Sequence, residues 1–398
     1  MEALIKQSFF KGKIEVPASK SYLHRVLIAA SLAEGTSTIN NFTLSDDIQD
    51  TINALVSLGV SIEINEHILV TPKKFTNSKI KLKESGTTYR MLIPILSSMF
   101  RTFDIEVMEG LYNRPINIYE ELGLVRKGKV HNFDLSPGIF EIDGSISSQF
   151  ISGLLYTLPL LDGDSVLNLR NRTSENYIMM TTEVLKEFGI VIKRVDDTFY
   201  IKGNQKYIGT TYTVEPDFSA IAFWAVAGFI NGDILIDAPK SSLQPDFALI
   251  NLLSKIGKVD YNQGFRFVKQ SYSGFNFDVN NSPDLAPALS LLACFADSES
   301  VITGVDRLIY KESNRIKGIL GTLSKLGANI EYDGEIKVLP SKLSYNNIIQ
   351  TDHRIAMMAA VAATKTDVLI QNIETVNKSY PNFINDLLSL EVKVEVRK

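Results

Sequence analysis

Two kinds of apolar segment alternate along the chain, and their spacing predicts the architecture. The first kind is amphipathic and ends in a Leu-Gly-like stop, as in ALVSLG and TLSKLG. Because glycine readily adopts the left-handed conformation that ends many helices, each stop predicts a helix, a glycine cap and then a strand or hairpin. The stops recur every 64 to 70 residues, at Gly59, Gly123, Gly189, Gly257, Gly327 and Glu391.

The second kind of segment is apolar nearly all round and also occurs six times. A helix without a polar face is expected to be buried, so six buried helices are predicted. A polar turn and a strand follow most of them, as in GDSVLNL and GDILIDA. The six segments are VLIAASLA, MLIPILSSMF, FISGLLYTLPLL, AIAFWAVAGFI, LAPALSLLACFA and IAMMAAVAA.

Together the two segments define a sixfold repeat that fills the 398 residues. Each repeat holds two helices and several strands, which is typical of a two-layer α/β (α+β) unit. Six such units are expected to group as two domains of three. The alternative is a solenoid that stacks all six in a row, but solenoid repeats run to about 20 to 50 residues.

Composition and charge exclude several classes of protein. Lys+Arg number 41 and Asp+Glu 45, with the cations scattered, so no surface for nucleic acid or an anionic membrane is expected. The longest apolar stretch, 220–230, is shorter than the roughly 18 to 20 residues that span a bilayer. The single cysteine, Cys294, and four scattered histidines predict neither a disulfide nor a zinc site. A cytoplasmic protein is therefore expected.

Polar residues stand directly before each buried helix, and some of them are cations. Serine, threonine and aspartate at these positions are commonly N-caps, each stabilising a helix by roughly 1 kcal/mol. Cations are different, because a helix N-terminus is already electropositive. Placing Lys20, Arg25, Arg90 and Arg354 there is unfavourable unless an anion is bound between them.

The strongest of these segments is PASKSYLHR, which predicts phosphate or carboxylate binding at the start of its helix. The alternative is capping with a snorkelling Arg25. In ESGTTYR, Gly86 would let a ligand approach the backbone closely. Arg114 precedes a proline, so an extended backbone could project it into a cleft.

Two further cationic segments are less informative alone. KESNR places Lys311 and Arg315 at i, i+4, so one helical face would carry both cations, and an exposed charged helix is the favoured alternative. Lys378 in NKSYP would ordinarily be a loop lysine.

Taken in order, the motifs resemble the enolpyruvyl transferase family, most closely its members that use shikimate 3-phosphate as acceptor. The resemblance covers nearly the whole chain. Its motifs are PASKSYLHR, LSDD, SGTTYR, LYNRPI, SSQF, SPDLA, KESNRI, DHRIAM and NKSYP.

The resemblance implies two domains, each of three βαββαβ-like repeats whose buried helices are walled by sheets. Residues 18–214 would form one domain, mainly for shikimate 3-phosphate. Residues 1–17 and 215–398 would form the other, with much of the phosphoenolpyruvate site and the catalytic aspartate. The active site is expected in the cleft between them.

The implied reaction moves the enolpyruvyl group of phosphoenolpyruvate to the 5-hydroxyl of shikimate 3-phosphate and releases phosphate. It belongs to the shikimate pathway, which leads to chorismate and the aromatic amino acids. Phosphoenolpyruvate and shikimate 3-phosphate are the implied partners, with no metal, no organic cofactor, no nucleic acid and no membrane, and a monomer is expected.

Matched positions imply the site residues. Asp284 is expected to take the 5-hydroxyl proton, and Lys20 and Glu312 are the expected donors to C3 of phosphoenolpyruvate. Residues expected to contact shikimate 3-phosphate are Lys20, Ser21, Arg25, Ser147, Ser148, Gln149, Ser174, Asp284 and Lys311. Those expected to contact phosphoenolpyruvate are Lys20, Gly86, Arg114, Gln149, Arg315, Arg354 and Lys378.

Three positions depart from the family pattern. Glu84 and His24 each stand where asparagine is usual, and Arg307 where asparagine is frequent. Glu84 would place a negative charge near an anionic substrate unless it points away or pairs with an arginine.

Two other functions stay open from the residues. A sister enzyme that transfers enolpyruvyl to UDP-N-acetylglucosamine typically uses a loop cysteine, and no cysteine lies near Arg114 in the sequence. A non-catalytic repeat scaffold would explain the period but not the cations.

Overall fold

The computed structural model describes residues 1–112, 114–124 and 135–397; Asn113 of the NRPI motif lies outside them. The chain divides into two compact units, one of Met1–Pro17 with Glu215–Lys398 and the other of Ala18–Val214. The backbone therefore passes between the units twice.

The described residues contain helices of both predicted kinds. The α-helices are α1 Lys20–Leu32, α2 Asp46–Ser57, α3 Gly86–Met99, α4 Glu109–Tyr112, α5 Asn117–Glu121, α6 Ser148–Thr157, α7 Glu175–Glu187, α8 Phe218–Asn231, α9 Ala248–Ile256, α10 Ala286–Ala293, α11 Arg315–Lys325, α12 His353–Val361 and α13 Phe383–Ser389. Short 3-10 helices span Leu158–Leu160, Pro245–Phe247, Pro283–Leu285, Asp306–Tyr310, Ala362–Thr364 and Ile373–Lys378.

The strands are short and occur before and after these helices. In the first half of the chain they are β1 Glu2–Ile5, β2 Phe10–Ile14, β3 Ala33–Glu34, β4 Ser37–Asn40, β5 Ser61–Ile64, β6 Ile68–Thr71, β7 Lys79–Leu82, β8 Asp104–Val107, β9 Ile139–Asp143, β10 Ser165–Arg170, β11 Ile192–Val195 and β12 Thr198–Ile201. In the second half they are β13 Tyr207–Ile208, β14 Thr211–Thr213, β15 Gly232–Ile236, β16 Asp260–Tyr261, β17 Phe265–Val268, β18 Asn276–Asp278, β19 Ser300–Thr303, β20 Asn329–Tyr332, β21 Ile336–Leu339, β22 Asn346–Ile349, β23 Val368–Gln371 and β24 Val394–Arg397.

Each buried helix connects two strands along the chain, and four of the six connect strands that pair in parallel. α3, α6, α10 and α12 each connect a strand to its parallel neighbour: β7 to β8, β9 to β10, β18 to β19 and β22 to β23. In the other two crossovers, those of α1 and α8, the strand before each helix pairs with the strand that follows the other helix. β2 leads into α1 but pairs with β15, and β14 leads into α8 but pairs with β4. This exchange is where the backbone passes between the units.

Within the described ranges, five sheets have four strands in one repeated order, a parallel pair followed by two strands that pair antiparallel. In β9-β10-β12-β11, for example, β9 and β10 are parallel, and β12 pairs antiparallel with both β10 and β11. The order β22-β23-β1-β24 completes the last repeat with the N-terminal strand. The sixth repeat contributes the parallel pair β7-β8. The mixed α/β architecture predicted from the sequence is confirmed.

The prediction that the apolar helices are buried is confirmed as well. In α8 every residue except Ser219 and Asn231 is buried. Trp224 of this helix donates its indole N–H to the Tyr380 hydroxyl at 2.9 Å and stacks on Phe383. An aromatic ring with one polar atom can be buried at little cost when that atom has a partner. No described helix has both the length and the apolar character needed to cross a membrane.

The helix stops are confirmed at all five glycines, since a helix ends within two residues of each. Gly59, Gly123, Gly189 and Gly327 have positive φ angles, between 75° and 109°. Gly257 is the C-cap of α9, but its φ of −165° is extended, so this stop does not use the left-handed conformation. A Cβ on Gly257 would lie 2.5 Å from Oε1 of Gln270, so close packing accounts for the glycine at this position.

Gly321 inside α11 and Gly327 just after it provide a test of the left-handed glycine stops. Gly321 is exposed inside the helix, and a Cβ there would meet nothing within 4 Å, so Gly321→Ala should raise the free energy of unfolding by about 0.5 to 1 kcal/mol. Gly327 has a φ of 94°, so Gly327→Ala should lower it by about 1 to 2 kcal/mol. Urea unfolding followed by the fluorescence of Trp224, the single tryptophan, measures both. Equal effects would contradict the assignment of Gly327 as a left-handed stop.

Candidate active site

The first group of predicted site residues lies at the start of α1. Ser19 caps this helix by accepting the Tyr22 N–H, and Lys20 is its first residue. The Lys20 Nζ lies 2.6 Å from Oδ2 of Asp47, which belongs to the first turn of α2. The Lys20 side chain is only 15% exposed, so the ion pair joins two helix N-termini in a largely dry environment.

Arg25 lies one turn further along α1 and is buried against two other helices. Its guanidinium donates to Oγ1 of Thr181 at 2.9 Å, to the Ser21 carbonyl at 2.7 Å and to the Tyr177 carbonyl at 3.2 Å. The Thr181 hydroxyl also contacts Ser152 of α6 at 2.7 Å. Burial lowers the pKa of Arg25, although an arginine still remains charged at neutral pH. Arg25 therefore ties α1, α6 and α7 together through polar contacts.

The predicted serines occupy the ends of α6 and α7. Ser147 caps α6 by accepting the Gln149 N–H at 3.3 Å, and Ser148 is buried in its first turn. Ser174 precedes α7 in a left-handed conformation, with φ of 55°, and is also buried. A serine in this backbone region costs free energy, so surrounding structure must hold it there.

The start of α3 brings together residues from three segments. A Cβ on Gly86 would lie 2.7 Å from NH1 of Arg114 and 3.7 Å from NH1 of Arg90. Arg90 donates to Oε1 of Gln149 at 2.7 Å, and Gln149 donates in turn to Oγ1 of Thr87 at 2.8 Å. The Thr88 N–H is capped by Ser85, whereas the N–H groups of the first two residues of a helix have no partner within it.

Arg114 is the member of this group best suited to receive a ligand. Its buried Nε has no hydrogen-bond partner among the described residues, and none of their carboxylates lies within ion-pair distance of it. A buried N–H group without an acceptor is costly, and an anion at the α3 N-terminus would supply one. The geometry can bind a phosphate or carboxylate here.

In the other unit, Asp284 is the centre of a second charged group. Its carboxylate lies 3.3 Å from Nζ of Lys311 and 3.2 Å from NH2 of Arg354, and it is also paired with Arg315. Arg315 is almost fully buried and forms further ion pairs with Glu312 and with Asp352, the latter at 3.0 Å. Three cations and three carboxylates thus form one connected network.

The network determines the ionisation of its members. Burial would raise the pKa of Asp284, but the charges of Arg354, Lys311 and Arg315 outweigh it and hold that pKa well below its usual range. Burial lowers the pKa of Lys311, against the charge of Asp284. Asp284 is therefore ionised at neutral pH and can accept a hydrogen bond or a proton.

The expected placement of Lys311 and Arg315 on one helical face is wrong. Lys311 follows the 3-10 helix Asp306–Tyr310 in an extended conformation, and Arg315 begins α11, which Asn314 caps. The two cations nevertheless meet, because both are paired with Asp284. Lys378 ends the 3-10 helix Ile373–Lys378, which packs on α12, the helix of Arg354.

The structure adds a buried acid that the sequence analysis did not identify. Asp246 accepts a hydrogen bond from the Ser219 hydroxyl, and its Oδ1 has no partner among the described residues. Burial, reinforced by the charge of Asp284 and opposed by that of Arg354, raises the pKa of Asp246 to about 7. Its signal was the segment QPD ahead of an amphipathic helix, which is indistinguishable from an ordinary turn.

The three unusual positions have separate environments. Glu84 is exposed, and its Oε1 lies 3.7 Å from where a Cβ of Gly110 would stand. Arg307 donates to the Asn280 carbonyl. His24 is buried, and its Nδ1 lies 2.7 Å from Oγ1 of Thr51.

The one cysteine is the C-cap of α10. Cys294 is buried, as predicted, and burial raises its thiol pKa to about 12. Among the described residues, no group of three or more His, Cys, Asp or Glu could hold a metal ion.

Comparison with known proteins identifies the family to which the chain belongs. The family model described as EPSP synthase (3-phosphoshikimate 1-carboxyvinyltransferase) matches residues 5–387. A 3-phosphoshikimate 1-carboxyvinyltransferase of Clostridium acetobutylicum is 39% identical, with 96% of this chain and 95% of the relative covered. One of Brachyspira hyodysenteriae is 36% identical, with 99% and 100% covered.

A solved structure supports the fold. The EPSP synthase of Acinetobacter baumannii matches with a TM-score of 0.82 at 24% identity, with 99% of this chain and 100% of that chain covered. At this identity the likeness concerns the fold alone.

The buried acid provides a test of the electrostatics. With a pKa of 3.8 when unfolded and about 7 when folded, Asp246 should lower the stability of the protein as pH rises through this interval. Asp246→Asn removes that effect, so its stability gain over the wild type should be about 3 kcal/mol larger at pH 8 than at pH 5. Urea unfolding at both pH values measures it, with the exposed Asp333→Asn as control. A gain independent of pH would contradict the raised pKa.

Proposed function

Since the chain belongs to the EPSP synthase (3-phosphoshikimate 1-carboxyvinyltransferase) family, we propose that it transfers the enolpyruvyl group of phosphoenolpyruvate to the 5-hydroxyl of shikimate 3-phosphate. The observation that carries this proposal is the family match over residues 5–387, which includes both charged groups described above. Each group supports one part of the chemistry.

The α3 N-terminus is proposed to bind phosphoenolpyruvate. Gly86 leaves room at the backbone, and Arg114 has an Nε without an acceptor. Gln149 is held beside them through Arg90 and Thr87. The proposal also assigns this ligand to Lys20 and, from the other unit, to Arg315, Arg354 and Lys378.

Shikimate 3-phosphate is proposed to bind where α1, α6 and α7 meet. Arg25 holds these helices together through Thr181, next to the serines that begin α6 and precede α7. Residues proposed to contact this substrate are Lys20, Ser21, Arg25, Ser147, Ser148, Gln149, Ser174, Asp284 and Lys311. The unit of residues 18–214 would thus supply most of these contacts.

The proposed chemistry needs proton transfers in both of its steps, addition and elimination. The 5-hydroxyl adds to C2 of phosphoenolpyruvate and loses a proton, while C3 gains one. The tetrahedral adduct then loses phosphate and the C3 proton. Asp284 is proposed as the base, since it is ionised, and Lys20 and Glu312 as the C3 donors. Binding of anions near Lys311 and Arg354 would raise the low pKa of Asp284 and make it a stronger base.

Arg315 is proposed to have a second role as well. All of its guanidinium nitrogens face carboxylates, those of Asp284, Glu312 and Asp352. One buried cation, Arg315, therefore orients both the proposed base, Asp284, and one proposed proton donor, Glu312. The network is therefore organised before substrates bind, which lowers the barrier for charge movement.

The sister reaction on UDP-N-acetylglucosamine is not favoured. The matching family model and the relatives from Clostridium acetobutylicum and Brachyspira hyodysenteriae are all named for 3-phosphoshikimate. The chain's one cysteine, Cys294, is buried with a raised thiol pKa, so it is a poor nucleophile. A scaffold without chemistry does not require the network around Asp284.

We also infer that the protein works as a cytoplasmic monomer of the shikimate pathway. A single buried thiol is consistent with a reducing compartment. Sedimentation velocity across a hundredfold range of concentration should show one species of 44.3 kDa. A concentration-dependent dimer would contradict the monomer.

Phosphate release with phosphoenolpyruvate and shikimate 3-phosphate tests the function directly. The purified protein should release phosphate only when both substrates are present, without added metal. UDP-N-acetylglucosamine in place of shikimate 3-phosphate should give none. Activity with the nucleotide sugar alone, or with neither acceptor, would overturn the proposal.

Gly86→Ala tests the phosphoenolpyruvate assignment. The added methyl group would lie 2.7 Å from Arg114, so the guanidinium must move. The KM for phosphoenolpyruvate should rise at least about tenfold, as expected for a weakened charged hydrogen bond. The KM for shikimate 3-phosphate should change less, and Gly321→Ala should change neither. An equal rise in both KM values would argue against this placement.

Asp284→Asn tests the base. The variant should lower kcat by a factor on the order of 100 to 10,000, since a positioned base contributes about that much. Substrate affinity should not fall, because the cations of Lys311 and Arg354 lose an opposing charge. Steady-state kinetics and equilibrium binding measure these effects, with Asp333→Asn as control. Near-normal turnover, together with loss of both substrates in Lys20→Ala, would show that the base is wrongly assigned.

A further inference from the structure

A chain of side-chain hydrogen bonds crosses three helices of the unit Ala18–Val214. It begins at Nδ1 of His24 in α1, which lies 2.7 Å from Oγ1 of Thr51 in α2. Oγ1 of Thr51 lies 2.5 Å from Oγ1 of Thr88 in α3, and that atom lies 2.6 Å from Oγ of Ser85. Ser85 is the N-cap of α3.

All four side chains are buried, with between 0% and 1% of their surface exposed. Burial lowers the pKa of His24 to about 3, and the opposing charge of Asp47 is too weak to restore it. The imidazole is therefore neutral at physiological pH. Apolar side chains would fill the same space without the cost of burying hydroxyl groups, so the chain is not needed for packing alone.

Each member of the chain stands beside a residue of the proposed active site. His24 lies one helical turn after Lys20, and Thr51 one turn after Asp47, the partner of Lys20. Ser85 directly precedes Gly86, beside which Arg114 lies. The chain thus connects the N-termini of three helices at a fixed separation.

We propose that His24, Thr51 and Thr88 are positioning residues that fix the N-terminus of α3 relative to Lys20 and thereby set the affinity for phosphoenolpyruvate. This inference rests on the proposed function. The hydrogen bonds are directional and between 2.5 and 2.7 Å long, so they restrict the sliding of α3 past α1 and α2 more than apolar contacts would. Most residues assigned to the acceptor substrate lie outside α3, and only Gln149 among them is held by side chains of α3, so binding of this substrate should depend less on this connection.

Thr88→Val removes the central hydroxyl and keeps the shape of the side chain. The KM and the dissociation constant for phosphoenolpyruvate should rise about fivefold, the effect of one lost hydrogen bond. The kcat and the KM for shikimate 3-phosphate should stay within about twofold. Thr88→Ser restores a hydroxyl at this position and should recover most of the affinity.

Thr157→Val is the matched control. Thr157 is also a fully buried threonine of this unit, but its hydroxyl donates to Gly153 within its own helix, α6. Its replacement should lower stability by a similar amount without changing the affinity for phosphoenolpyruvate. Thermal unfolding of both variants separates the loss of stability from the loss of positioning.

Thr51→Val provides an independent variant should Thr88→Val fold poorly. Because either change interrupts the same chain, Thr51→Val should raise the dissociation constant for phosphoenolpyruvate as much as Thr88→Val does. The double variant should be little worse than either single one. Fully multiplicative effects would show that the two hydroxyls act separately and would overturn the inference.

The remaining outcomes distinguish the inference from the function on which it rests. If the wild type turns over both substrates but Thr88→Val and Thr51→Val bind phosphoenolpyruvate normally, the positioning role is wrong and the function stands. A similar weakening in Thr157→Val would also overturn it, as a general effect of destabilisation. If the wild type releases no phosphate, the proposed function fails first.

Discussion

Six buried apolar helices, each connecting two strands along the chain, impose the constraint on which the rest of the structure depends. Their first N–H groups have no partners within the helix and cannot be covered by apolar packing. Capping side chains satisfy only some of these donors, and the helix dipole adds positive potential. Polar residues therefore collect at these ends. Where Lys20 or Arg354 adds a cation, a bound anion makes the arrangement favourable.

Two arginines of the proposed site are prepared in different ways. Arg315 is surrounded by carboxylates and is fixed before any ligand binds. Arg114 has a buried Nε without an acceptor among the described residues, so a ligand anion would complete its environment. A rigid cation suits the orientation of a catalytic acid or base, whereas an incomplete one suits binding. This contrast follows from local partners, and it agrees with the different roles proposed for the two groups.

The sequence was sufficient to predict the architecture, because the apolar residues that bury each helix lie within that helix. It was insufficient where structure depends on distant partners. Gly257 looks like the other helix stops, yet the nearby Gln270 determines its role. Asp246 lies in a 3-10 turn, which has no apolar period, and only folding brings it under the influence of Asp284. Asn314 caps α11, so Arg315 lies in this helix and Lys311 lies before it, although their spacing had suggested that both belong to one helix.

Neutral hydroxyls and charged groups have different costs as positioning devices. A carboxylate in place of Thr88 could also accept from Thr51, but its charge would oppose the cations of Arg90 and Arg114 at the α3 N-terminus and weaken their attraction for anions. A hydroxyl chain fixes geometry without changing the field at the binding site. Around Asp284 a charge is required for proton transfer, and there three cations stabilise it. The choice between hydroxyl and carboxylate thus follows from whether a position must hold a helix or accept a proton.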